Sequence, residues 1–168
     1  MRSSSTIWDT LPEQLSRPKF AKQSIDHDSF WSNYEQNGTE VTIHLAILAT
    51  QYINLILDGK KTVESRFSIH KRMPYKRINP GDIIFLKETG GPIRGICYVS
   101  KTEFFDLKKD VSLSEIMDEY RNELQIHDIS YWQRYKKANY ATLIHLENVR
   151  AIDPMPFSKR DRNAWVIF

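Results

Sequence analysis

Five chemically capable side chains fall within seven residues of one another: Lys60, Lys61, Thr62, Glu64 and Arg66. Two ammonium groups, a hydroxyl, a carboxylate and a guanidinium at this spacing suit the capture of a phosphate. Lys61 would act as a point charge, and Arg66 would bind bidentately or orient Glu64. The same set suits proton transfer, because a lysine that loses solvation becomes a base or nucleophile and a carboxylate can shuttle protons. A solvated strand face with cross-strand ion pairs fits the pattern as well, and such pairs are worth about 0–1 kcal/mol each. A second cationic group follows in Lys71, Arg72, Lys76 and Arg77, with Tyr75 among them either to stack on a base or to lie as ordinary surface. From Lys60 to Arg77 there are seven Lys or Arg and one acid, whereas residues 106–128 hold seven acids and three Lys or Arg.

The elements that must position these groups are legible from period and punctuation. Residues 41–49 alternate and are rich in β-branched side chains, which predicts a strand. Thr50 is the expected N-cap of a short apolar helix carrying Tyr52, Ile53, Leu55, Ile56 and Leu57, and Gly59 is its expected stop. Lys60 and Lys61 then sit at the negative end of the helix dipole. From Thr62 the period changes to two, placing Thr62, Glu64 and Arg66 on one strand face and Val63, Ser65 and Phe67 on the other. Asn79-Pro80-Gly81-Asp82 reads as a turn, with proline presetting the second position and glycine supplying positive φ at the third. Strands are expected over 83–86, 93–99, 140–146 and 165–168. Helices are expected over 112–120, opened by the capping box Ser112/Glu115, and over 129–137.

A chain of 168 residues with 40% hydrophobic and 27% charged residues is one ordinary globular core. The net charge of +3 does not by itself argue for nucleic acid. No apolar run is long enough to span a bilayer and no secretory leader is visible, so no membrane association is expected. The single cysteine, Cys97, lies in an apolar run and reads as a core residue of a cytoplasmic protein. His27, His44, His70, His127 and His145 show no ligand spacing, so neither a metal nor a cofactor is expected, although His44 and His145 fall on strands that could face a cleft. Residues 1–38 read as an arm packed on the domain through Trp8, Phe30 and Trp31, and residues 41–168 as the domain itself. Strands clustered in the middle and at the end, without βαβ alternation, give an α+β class built on a small closed or half-closed β-barrel with helices flanking its mouths.

The run D-G-K-K-T-V-E-S-R, then a basic loop, N-P-G-D-I-I-F, a return strand and a final R-D-R-N-A-W-V-I resembles the ASCH domain of the PUA-like superfamily. The resemblance covers roughly residues 41–168, with Gly59, Lys61, Glu64 and Arg66 at its signature positions. It implies a small β-barrel with a charged cleft at one mouth and RNA, or a nucleoside or nucleotide, as partner. Some bacterial members are acetylcytidine amidohydrolases and others ribonucleases, so the alternative that it implies is a hydrolase in which Lys61 would be catalytic. Glu64 stands where those amidohydrolases carry threonine, and Glu123 is the nearest match to their acidic partner. A protein-interaction module without a nucleic-acid role is the remaining alternative.

Overall fold

The structure is a computed structural model, and it describes residues 41–168; the expectation of an N-terminal arm lies outside the described residues. Ten elements follow in order: β1 (Ile43–Leu48), α1 (Thr50–Leu57), β2 (Val63–Ser68), β3 (Ile83–Glu88), β4 (Ile93–Asp106), α2 (Leu113–Glu119), α3 (Arg121–Leu124), α4 (Ile129–Tyr135), β5 (Tyr140–Met155) and β6 (Trp165–Ile167). The strands form one six-stranded sheet in the order β2-β5-β4-β3-β1-β6. β1 and β3 run parallel, and the other pairs are antiparallel. The sheet curls until its edge strands approach each other, close enough for Arg66 on β2 to donate to Ile47 O of β1 and to Ala164 O beside β6. The result is an α+β half-barrel.

Alternation along the strands sorts the core into layers. Ala46, Leu48, Ile84, Leu86, Cys97, Val99, Ile144 and Leu146 face one side and meet Ile53 and Ile56 of α1. Each such fully buried isoleucine contributes roughly 1.5–3 kcal/mol. Leu45, Ile83, Phe85 and Ile96 face the other side. Val63, Phe67, Ala141 and Leu143 pack against Ile116, Leu124 and the aromatic residues of α4. Trp165 is buried, and β6 pairs with β1 as the terminal run of bulky residues predicts.

Gly59 and Gly81 take φ of 72° and 91°, in keeping with a helix stop and a turn, and Asp82 N donates to Asn79 O at 3.1 Å. Ser112 and Glu115 form the expected capping box. Two expectations are corrected. Thr50 is not the N-cap: Ala49 holds the extended cap conformation and Thr50 is already helical, without a side-chain cap bond. β4 and β5 also run well past residues 99 and 146, because each extension is paired by the core half of the other strand: residues 101–106 of β4 pair with 140–145 of β5, and residues 147–155 of β5 with 93–98 of β4. Register shifts at three points let both strands coil.

Candidate functional site

β2 is an edge strand, and its alternation sends Val63 and Phe67 into the layer shared with the helices while Glu64 and Arg66 turn the other way. Lys61 enters from the end of α1, where its N–H donates to Leu55 O at 2.9 Å. Its side chain is only 1% exposed, and Nζ donates to Leu124 O, the last carbonyl of α3, at 2.8 Å. Glu64 Oε2 lies 3.5 Å from this ammonium, and the Tyr52 ring centroid 5.5 Å from it. Burial pushes the Lys61 ammonium below its ordinary pKa. The Glu64 carboxylate opposes that shift, and Arg66 adds to it.

The other oxygen of Glu64 approaches Arg66 Nε at 3.2 Å, although this N–H is not aligned as a hydrogen bond. Arg66 spends Nη2 on Ile47 O at 3.1 Å and Nη1 on Ala164 O at 3.3 Å, and its guanidinium lies 5.0 Å from the Trp165 ring centroid. Lys61, Glu64 and Arg66 therefore form one charge cluster in which a single carboxylate serves two cations, with Lys61 and Glu64 buried and Arg66 half-buried.

This cluster lies at the base of a cleft of about 1350 Å³. One wall is aromatic: Tyr52, Phe67, Tyr131 and Tyr135 line it, with Ser65 Oγ 3.4 Å from the Tyr131 hydroxyl. The end of β1, Ala164 and Trp165 line the other wall. Arg72 and His70 from the loop after β2, Arg134 from α4, Lys137 just beyond it and Arg162 ahead of β6 line the mouth. Asp128 is also present there, but its carboxylate is bonded to the Ser130 N–H and hydroxyl at 2.8 and 2.6 Å. Those bonds hold its carboxyl below the usual range.

Of the residues singled out from sequence, Lys61, Glu64, Arg66 and Arg72 line this cleft. Lys60 and Thr62 are exposed and do not line it; Thr62 instead joins α3 to β5 through its backbone, donating to Glu123 O and accepting from Leu146 N. Lys71, Tyr75, Lys76 and Arg77 also lie outside it. The Tyr75 ring packs 5.7 Å from Phe104 and 5.0 Å from Tyr140, with Lys76 over Tyr75 itself and Lys71 over Tyr140, so Tyr75 belongs to a separate aromatic cluster away from the cleft. Glu123 is outside as well. Leu124 beside it is fully buried, and the Glu123 carboxylate stands near enough to Tyr120 to help hold that phenol up, at about 12, after burial and Glu103. One Glu123 oxygen is buried without a hydrogen-bond partner among the described residues.

The sequence reading missed Tyr52, Tyr131, Arg134, Tyr135, Lys137 and Arg162. The available signal was Tyr131, Arg134 and Tyr135 at i, i+3 and i+4, which puts a guanidinium between two rings on one helix face. His44 and His145 do not line the cleft. His44 is fully buried against Asp82 and Trp165. His145 pairs with Glu103 at 2.7 Å, in a cluster with Tyr120 and Lys101. Burial would raise the Glu103 carboxyl, but hydrogen bonds from His145, Lys101 and Tyr120 together hold it below its ordinary value. Among the described residues no group of three His, Cys, Asp or Glu is arranged to hold a metal ion, and no helix is long and apolar enough to cross a membrane.

No family model and no curated protein matches the chain. Solved structures do. ASCH from Zymomonas mobilis is similar with a TM-score of 0.54 and 21% identity, covering 67% of this chain and 72% of that one. A tyrosine-to-phenylalanine mutant of that protein matches at the same TM-score and identity, over 67% and 74%, and a serine-to-alanine mutant over 67% and 72%. At this identity the likeness is one of fold.

Proposed function

We propose that this chain, an ASCH-type half-barrel by its fold, binds single-stranded RNA or a nucleotide in the cleft above Lys61, Glu64 and Arg66. One observation carries the reading. Arg72, Arg134, Lys137 and Arg162 line the cleft, and among the described residues no carboxylate lies within salt-bridge distance of them. At the base the Glu64 carboxylate is shared between Lys61 and Arg66, whereas these four cations stand where a ligand would enter. A polyanion is the fitting partner. The tyrosine wall supplies flat surface beside those cations, and stacking of a base on an aromatic ring is worth about 1–3 kcal/mol. Acidic peptides would answer the charge but would leave the tyrosine wall without a planar partner.

Fluorescence anisotropy with a labelled single-stranded RNA, run across a salt series, tests this. Three or four phosphate contacts at the mouth would give a log–log slope of roughly −2 to −3. No binding at low salt, or binding indifferent to salt, would remove the RNA reading.

A hydrolase acting on RNA or on a modified nucleoside is the second reading, favoured by the lowered pKa of Lys61 beside Glu64. Buried as it is, Lys61 would serve by holding or accepting a proton within the cluster. Turnover of acetylated cytidine or of single-stranded RNA, abolished by Lys61→Ala and Glu64→Gln but retained in Glu123→Ala, is the result expected of that reading. Absence of turnover with RNA binding intact leaves the binding function alone.

A further inference from the structure

β2 and β6 are the two edges of the sheet, and among the described residues the hydrogen bonds that cross from β2 to the β1/β6 edge come from Arg66. The half-barrel is thus latched by a side chain at this point and not by a backbone ladder. The latch has a platform, since the guanidinium lies over the Trp165 indole. That indole is itself anchored: its Nε1–H donates to His44 Nδ1 at 3.1 Å. An indole nitrogen can only donate, so His44 accepts at Nδ1 and carries its proton on Nε2. Nε2 faces Asp82 Oδ2 at 3.0 Å. Asp82 is fixed in turn by the N–H groups of Thr42 and Asn79, at 3.0 and 2.8 Å. His44 is fully buried and Trp165 is 4% exposed, so water cannot replace either bond if it is lost.

We propose that His44 is a positioning residue for the cleft: through Asp82 on one side and Trp165 on the other, it fixes the surface on which Arg66 rests and so the separation of the cleft's two walls. His44 lines no part of the cleft and touches no ligand. It acts through Trp165 and Arg66 alone. The inference rests on the RNA-binding reading for one of its two readouts and is independent of it for the other.

The ligand-free readout is amide hydrogen exchange at Ile47, whose N–H donates to Ala164 O at 3.0 Å beside the carbonyls that Arg66 holds. The second is affinity for a labelled single-stranded RNA. His44→Phe keeps an aromatic ring but removes both ring nitrogens; His44→Gln keeps a donor and an acceptor that can serve Asp82 and Trp165. His44→Phe is expected to weaken RNA binding about fivefold, the effect of losing one net hydrogen bond, and to speed exchange at Ile47. His44→Gln is expected to stay within about twofold of wild type on the same scale. Ile152→Ala, in the core layer on the sheet's other face, controls for simple destabilisation and should lower the melting temperature without changing affinity. If His44→Phe does not fold, Asp82→Asn, which lies outside the cleft and leaves the side chain one acceptor short of the three donors His44 Nε2–H, Thr42 N–H and Asn79 N–H, takes its place with the same expected result. Wild-type exchange and affinity in His44→Phe, or an equal loss of affinity in Ile152→Ala, would overturn the proposal. If wild type binds no RNA, the functional reading fails and exchange at Ile47 alone judges the positioning role.

Discussion

Glu64→Gln tests most directly whether the single carboxylate of the charge cluster supports the buried Lys61 ammonium. In wild type the carboxylate lies 3.5 Å from a lysine that is 1% exposed and 3.2 Å from Arg66. Removing one partner of a buried pair leaves an uncompensated charge and costs roughly 3–5 kcal/mol. Arg66 keeps its two carbonyl acceptors and remains partly exposed, so the loss falls at the lower end, about 3 kcal/mol, and mainly at Lys61. For a domain of this size that corresponds to a melting temperature lower by about 6–12 °C. The pH dependence has a definite sign. Lys61 has a folded pKa below its ordinary 10.5, so between those two values the unfolded chain holds the extra proton and stability rises with pH. Glu64 raises the folded value, so Glu64→Gln moves the start of that rise to lower pH. The gap between wild type and variant should therefore be widest near neutrality and narrow in alkali. Urea denaturation of wild type, Glu64→Gln, Lys61→Met and the double variant from pH 7 to pH 10 measures this. The double variant should be more stable than Glu64→Gln alone, because it has no buried ammonium left to compensate. A Glu64→Gln protein within about 1 kcal/mol of wild type, with no gain on adding Lys61→Met, would refute the reasoning.

Deleting residues 165–168 should abolish cooperative unfolding by circular dichroism, because it removes β6, the buried Trp165 and the platform of Arg66 together. A truncated protein melting at the wild-type temperature would contradict this. Arg134→Ala and Lys137→Ala, both exposed at the cleft, should leave stability within about 0.5 kcal/mol. Each should also lower the salt slope of RNA binding by about 0.7. An unchanged slope in both would take the mouth cations out of the ligand's path.

The fold was legible where chemistry is local. Gly59 and Gly81 mark places where the backbone takes positive φ, one to stop a helix and one to make a turn, and Ser112 with Glu115 marks a helix start. Four bulky residues at the end of the chain had to be tied into the sheet, and they are. What stayed hidden was structure made by partners. The halves of β4 and β5 that carry Lys101, Glu103, Glu147 and Arg150 lack the clean apolar alternation of the core strands, and they are strands because the core half of the other strand supplies each one's ladder. Thr50 looked like a cap by residue type, yet the extended backbone turn falls one residue earlier, at Ala49.

The site divides along the same line. Lys61, Glu64 and Arg66 are close in sequence, so a helix stop followed by a strand was enough to bring them together. Which groups they bind was not legible, because the acceptors are backbone carbonyls of Ile47, Leu124 and Ala164, to which residue type gives no clue. Those acceptors shape what the cluster can do. Lys61 satisfies the end of α3, Arg66 latches the seam, and Glu64 is shared between them, so much of the motif's charge is spent on assembling the cleft. Arg72, Arg134, Lys137 and Arg162, which have no carboxylate within salt-bridge distance among the described residues, come from three separate stretches of chain and meet only when the sheet curls. A ligand that reads charge would meet these first. Differences in ligand between proteins of this fold would then follow the segments around α4 and ahead of β6 more closely than the residues of β2.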